Sequence, residues 1–160
     1  MAKLLRNSNS KLGVTVFGFS IVAGETCPGA SEACLAVCYA KKGEAFRPSV
    51  KVNHIRNLER VKADSSWKDD IINQINTYGI KTVRIHPDGD FFEVSYVLDW
   101  IDIVNACPGT KFFGYTKSWR VKGMLVALDA LRALPNVSLL ASWDSTWTKS
   151  RLPNGVWPTC

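Results

Sequence analysis

Three cysteines, Cys27, Cys34 and Cys38, fall inside one short stretch, T-C-P-G-A-S-E-A-C-L-A-V-C-Y-A, at the spacing C-x6-C-x3-C. Thiolates gathered this closely favour a soft metal, because sulfur suits zinc, copper(I) and iron–sulfur centres. Three of them leave one coordination position open, either for a distant fourth ligand or for chemistry. His86 is the imidazole that a zinc reading would recruit. The opposing reading is packing: free cysteine buries well, and Cys34 and Cys38 stand one helical turn apart. The chain holds five cysteines, an odd number. In a reducing cytosol a tight group of thiols points to metal binding or catalysis rather than to disulfides. Cys107, in N-A-C-P-G behind a helical segment, reads as structural.

Such residues need elements that position them. β-branched and aromatic runs predict strands at 14–19, 81–86, 111–115 and 137–141. Apolar residues at helical spacing predict helices at 35–42, 50–62, 67–78, 94–106 and 118–134. Pro48 suits a helix start, Ser65-Ser66 an N-cap, and Gly79 a helix end. Strands alternating with helices imply a mainly parallel sheet built from right-handed βαβ units. In such sheets the functional loops leave the C-terminal ends of the strands. That rule brings four groups to one edge: the three cysteines; His86, Asp88, Gly89 and Asp90; the run Tyr115 to Arg120; and Ser142, Trp143 and Asp144. The opposite edge carries ordinary turn chemistry. Each group also has a plain reading. Asp88-Gly89-Asp90 suits a turn that caps a helix, and Ser118 suits an N-cap. Lys117 and Arg120 either face an anion or are solvated, and Trp119 and Trp143 suit packing.

With 160 residues the chain is sized for a single α/β domain across 1–160, with a cysteine-rich loop at about 24–42 and an irregular tail from about 142. The net charge of +6 permits contact with nucleic acid or an acidic partner, although the basic residues are dispersed. No apolar run is long enough to span a bilayer, and the N-terminus lacks the apolar centre of a signal peptide. A cytoplasmic protein is therefore expected, and exposed edge strands on a small sheet favour a homo-oligomer.

The blocks F-G-F-S-I-V-A-G-E-T-C-P-G-A-S-E-A-C-L-A-V-C-Y-A, R-I-H-P-D-G-D-F-F, F-F-G-Y-T-K-S-W-R and L-L-A-S-W-D resemble, in order, those of a phage family named after gene product 88. The resemblance runs from about Leu12 to Asp144 and implies the cytoplasm of an infected host cell. The order of blocks also resembles the first half of a radical SAM enzyme. That similarity implies a four-stranded, mainly parallel sheet shaped as half of a TIM-type barrel. It implies a [4Fe-4S] cluster on Cys27, Cys34 and Cys38, with Cys160 or a small molecule at the fourth iron. Gly89 and Asp90 would form the acidic turn that meets the amino group of S-adenosylmethionine, and Ser118 and Ser142 would be further cofactor contacts. The expected function is an iron–sulfur protein of phage type, with minimal radical SAM-like catalysis as one form of it. The alternatives are a zinc- or cluster-binding module that contacts nucleic acid or an acidic partner, and an electron-transfer protein.

Overall fold

The short β-branched runs pair into one sheet, and the longer amphipathic segments cover it. A computed structural model describes residues 3–7, 15–144 and 146. The strands are β1 (Arg6–Asn7), β2 (Val16–Phe19), β3 (Thr82–Ile85), β4 (Lys111–Thr116) and β5 (Val137–Ala141). The helices are α1 (Glu32–Ala36), α2 (Tyr39–Phe46), α3 (Pro48–Ala63), α4 (Trp67–Tyr78), α5 (Val94–Ala106) and α6 (Met124–Arg132), with a 3-10 turn at Ser118–Arg120. Pro48 opens α3, where its missing N–H costs nothing. Gly79 closes α4 at φ 59°, a left-handed conformation that glycine adopts without a Cβ clash.

The sheet order is β1-β2-β3-β4-β5. β2 to β5 are parallel, and β1 runs antiparallel to β2. Right-handed crossovers between strands that advance in one direction place their helices on one face. Accordingly α4 touches α5, and α5 touches α6. Strand alternation then divides the residues. Val83, Ile85, Phe112, Leu139 and Ala141 are buried in the core beneath these helices. Arg84, Phe113, Tyr115 and Ser138 alternate with them and are half-buried or exposed. The core is heavily aromatic: Trp100 meets Phe19 and Trp67 edge-on, with ring centroids 5.5 and 5.7 Å apart. Such edge-to-face pairs add to the burial of large apolar surfaces.

Four expectations are corrected. The sheet has five strands rather than four, because the exposed pair Arg6–Asn7 joins the outer edge of β2 without any apolar period to announce it. The segment 118–134 is not one helix: Gly123 at φ 87° breaks it and serves as the N-cap of α6. The short helix read at 35–42 is two helices that meet at Val37 and Cys38. The half-barrel of the radical SAM kind is not supported either. Among the described residues the sheet is open, with β1 and β5 at its edges and no pairing between them. Among the described residues no helix is long and apolar enough to cross a membrane.

The N-terminal segment is fastened by buried side chains, Gln74 on α4 foremost, with Asn57 on α3 donating to the Leu4 carbonyl at 3.4 Å. Gln74 on α4 accepts from the Leu4 and Leu5 N–H groups, both at 3.0 Å, and donates to the Leu5 carbonyl at 2.7 Å. Gln74→Leu leaves buried backbone groups unpaired. It is expected to lower the unfolding free energy by about 1–3 kcal/mol for each orphaned group, read from urea denaturation. A midpoint equal to that of the parent protein contradicts this account.

Candidate functional site

The cysteine segment is shaped by its own hydrogen bonds. Beyond β2, Ile21 N–H donates to the Asp88 carbonyl at 3.1 Å, so this loop and the turn after β3 start side by side. The Thr26 hydroxyl donates to the Val22 carbonyl at 2.8 Å, and Gly24 N–H points at the Cys27 sulfur at 3.4 Å. Ser31 caps α1 by accepting from Cys34 N–H at 3.1 Å, and its own hydroxyl donates to Asp144 Oδ2 at 2.9 Å. Cys38 is extended and forms the N-cap of α2. Gly29 lies directly on the loop after β4: a Cβ there would run into the Lys117 carbonyl. The loops that follow β2, β3, β4 and β5 therefore meet at one edge.

Together they enclose a cavity of about 330 Å³. Cys27, Cys34 and Cys38 line it, with Ala30 and Leu35 beside them and Tyr115, Lys117 and Ser142 opposite. Burial pushes the Cys27 thiol up to about 12; the charges of Asp90, Cys38 and Cys34 act in the same direction. Lys117 Nζ donates to Ser142 Oγ at 2.9 Å and stands 3.9 Å from Asp144. Asp144 is held down to about 2, first by its hydrogen bond from Thr146 and also by Ser31 and Lys117.

The expected site residues are placed as follows. Cys27, Cys34, Cys38, Gly89 and Ser142 share the cavity. Asp90 also borders it, but its carboxylate is already engaged. Oδ1 accepts from Phe91 N–H and from the Thr116 hydroxyl, both at 2.7 Å, and Oδ2 accepts from Lys117 N–H at 2.8 Å. Burial raises its pKa while these donors pull it down. Ser118 is fully buried and donates to the Phe91 carbonyl at 2.6 Å, so it braces the loop. His86 turns its ring toward the core: Nε2 pairs with the Tyr96 hydroxyl at 2.7 Å, and burial holds the imidazole neutral down to about 3. Cys160 lies outside the described residues.

The expected iron–sulfur function is overturned, together with its zinc and electron-transfer alternatives. Among the described residues no group of three or more His, Cys, Asp or Glu side chains is disposed to hold a metal ion. Cys27, Cys34, Cys38 and Cys107 are free thiols. The reason is local. The Ser31 cap and the break at Val37 and Cys38 put the three cysteines on separate pieces of backbone. They border one cavity without converging on a point. Sequence reasoning also missed Arg84 and Tyr39, which border the cavity from β3 and α2. The available signal was an arginine inside a β-branched strand, T-V-R-I.

Comparison with known proteins agrees with the resemblance to the phage family and adds nothing to the enzymatic one. The family model described as gene product 88 matches residues 2–156. The Gene 88 protein of Mycobacterium phage L5 is 31% identical over 150 residues, covering 87% of this chain and 61% of that protein. The Gene 88 protein of Mycobacterium phage D29 aligns with the same identity and coverage. The chain thus spans 61% of the length of these curated relatives. No solved structure matches.

Two measurements probe this geometry. Gly29→Ala forces the cysteine loop off the Lys117 backbone, and a loss of about 1–3 kcal/mol in unfolding free energy is expected; an unchanged melting temperature contradicts the docking. The Cys27 thiol is neutral in the folded state up to about 12, against an ordinary value of 9.0. Its contribution to stability is complete below the ordinary value and is lost as pH rises through the folded one. Iodoacetamide at about pH 8.5 is expected to alkylate Cys27 far more slowly in native protein than in urea-unfolded protein, read by peptide mass spectrometry. Equal rates in the two states contradict its burial.

Proposed function

We propose a function from one premise: the chain belongs to the gene product 88 family, and the C-terminal edge of its sheet is built to hold a small organic ligand. The observation that carries this reading is the meeting of four loops around one cavity of about 330 Å³. Ligand pockets of roughly 300–1,000 Å³ are mostly apolar, with a few polar groups that fix orientation. Parallel α/β sheets hold their ligands outside the C-terminal ends of the strands. Ala23, Ala30, Leu35 and the neutral Cys27 thiol supply the apolar wall, and Lys117 and Ser142 supply a polar corner. The ligand class that suits this lining is a compact, largely apolar molecule bearing one acceptor or anionic group. The cysteines act here as soft, polarizable lining.

The test uses 8-anilinonaphthalene-1-sulfonate, whose rings and sulfonate match the apolar wall and the Lys117 corner. Saturable fluorescence enhancement with one site per chain is expected. Ala30→Trp, which fills the cavity, is expected to weaken it by about tenfold or more, the loss of a well-buried apolar contact. No saturable binding, or binding that Ala30→Trp leaves intact, overturns the reading. S-adenosylmethionine, whose expected contacts Gly89 and Ser142 border the cavity, serves as competitor. Displacement of the dye assigns that ligand, and failure to displace it removes it from the class.

A further inference from the structure

Helices α2 and α3 have an inner and an outer side of different character. On the inner side, Val50, Asn53 and His54 of α3 border a second cavity of about 250 Å³, between the N-terminal strands and α3. Tyr39 and Pro87 border both cavities and form the partition, with the tyrosine hydroxyl donating to the Pro87 carbonyl at 2.8 Å. The outer side is basic. The positive excess, expected to be dispersed, is concentrated on this pair of helices. Residues 39–63 hold seven Lys and Arg against two Glu, a net of +5 in a chain of net +6. Residues 64–106 hold eight Asp and Glu against three Lys and Arg. Charge is therefore segregated along the molecule.

Little on the outer side offsets this charge. Glu44 turns inward, where its Oε1 stands 2.7 Å from His54 Nδ1 and accepts from Ala23 N–H at 3.0 Å. Arg60 is paired with Asp64 and Asp70 at 3.1 and 2.9 Å, and Lys62 faces Glu25 at 3.5 Å. Among the described residues Lys42, Arg47 and Lys51 have no acidic partner, and all three are exposed. They surround an aromatic ring. Tyr39, Lys42 and Phe46 follow at i, i+3 and i+7, one exposed stripe of α2, with Phe46 84% exposed. Arg47 is next to Phe46 at the joint of the two helices. Lys51 stands one turn further on, its N–H donating to the Arg47 carbonyl at 3.3 Å. The first turn of α3 holds no acidic residue, so the positive end of its dipole adds to the same charge.

We propose that the outer side of α2 and the start of α3 bind single-stranded nucleic acid, with phosphates on Lys42, Arg47 and Lys51 and a base stacked on Phe46. Surfaces that hold single strands without reading sequence combine cations that follow the backbone with exposed rings on which bases stack. Both are present here within three helical turns. A duplex keeps its bases stacked on one another, so the Phe46 ring would add nothing to it. A helix that lies in a membrane surface needs a continuous apolar face. Here Phe46 stands between Lys42 and Arg47, and the exposed Val52 and Ile55 of α3 alternate with Lys51, Arg56 and Glu59. This assignment does not depend on the thiol-lined cavity.

The experiment is fluorescence anisotropy of a labelled thymidine strand of about 20 nucleotides, titrated with the purified chain at several salt concentrations. Saturable binding is expected at about 50 mM salt, and three phosphate contacts at about −0.7 each predict a slope near −2 for log K against log salt. The variant carrying Lys42→Glu, Arg47→Glu and Lys51→Glu is expected to bind about tenfold or more weaker. A control of equal net charge carries Lys81→Glu, Lys111→Glu and Lys122→Glu, all at exposed positions outside the patch. It is expected to stay within about threefold of the parent. Phe46→Ala, which removes no charge, is expected to weaken binding about fivefold or more, and it decides if the triple variant fails to fold. The assignment is overturned if no binding tighter than about 100 μM is found, if the control loses as much as the patch variant, or if Phe46→Ala binds like the parent. It is overturned equally if a duplex of the same length binds as tightly, or if the chain sediments with phosphatidylserine–phosphatidylcholine vesicles and ignores the strand.

Discussion

The buried carboxylate of Asp90 holds the functional edge of this molecule together. It accepts three hydrogen bonds, one from its own turn, one from Thr116 at the end of β4 and one from Lys117 at the start of the loop beyond it. Thr116 extends the brace by accepting from Ser118 N–H at 2.9 Å. Taking a carboxylate out of water costs several kcal/mol and is offset only when its oxygens are well satisfied. Here they are satisfied by donors on the turn after β3 and at the end of β4 and its loop, so the charge is stable only when both segments adopt these positions. Gly29 then packs the cysteine segment against the same Lys117 backbone. The position of the thiols is therefore tied to a carboxylate whose two oxygens are both engaged by the protein.

Much of the frame was legible in the chain because its periods are strong and its stops are chemically explicit. Helices α4 and α5 fall where the apolar spacing and the Gly79 stop put them. The rule that parallel strands present functional loops at their C-terminal ends also brought the cysteines, Gly89 and Ser142 to one place. Legibility failed where the physics is not periodic. β1 is two polar residues whose place is set by Gln74, far away in sequence. The segment 118–134 reads as one helix across Gly123, because side-chain spacing carries no information about a positive φ. The metal reading failed for a related reason. Spacing counts residues between thiols but does not say which way each thiol points, and a serine cap decided that direction for Cys34.

The turn after β3 explains why one sheet edge carries two cavities rather than one. His86 takes φ 52°, a left-handed conformation that is unusual for a residue with a side chain, and Gly89 takes φ 86°. Strain of this kind persists only where the surroundings over-determine it. The surroundings here are the His86 N–H bond to the Phe19 carbonyl at 3.0 Å and the burial of the imidazole among Phe91, Tyr96 and Trp100. At Gly89 a side chain would come within 2.5 Å of Ile21, so the turn can lie flat on the loop after β2 only as glycine.

Reversing the backbone twice within four residues sends the two aspartates of D-G-D to opposite sides. Asp88 goes to Ser20 and His54, and Asp90 to Thr116 and Lys117. Pro87 and Tyr39 stand between them as the partition. Both cavities are thus walls of a single short segment, and Arg84, immediately before it on β3, borders each.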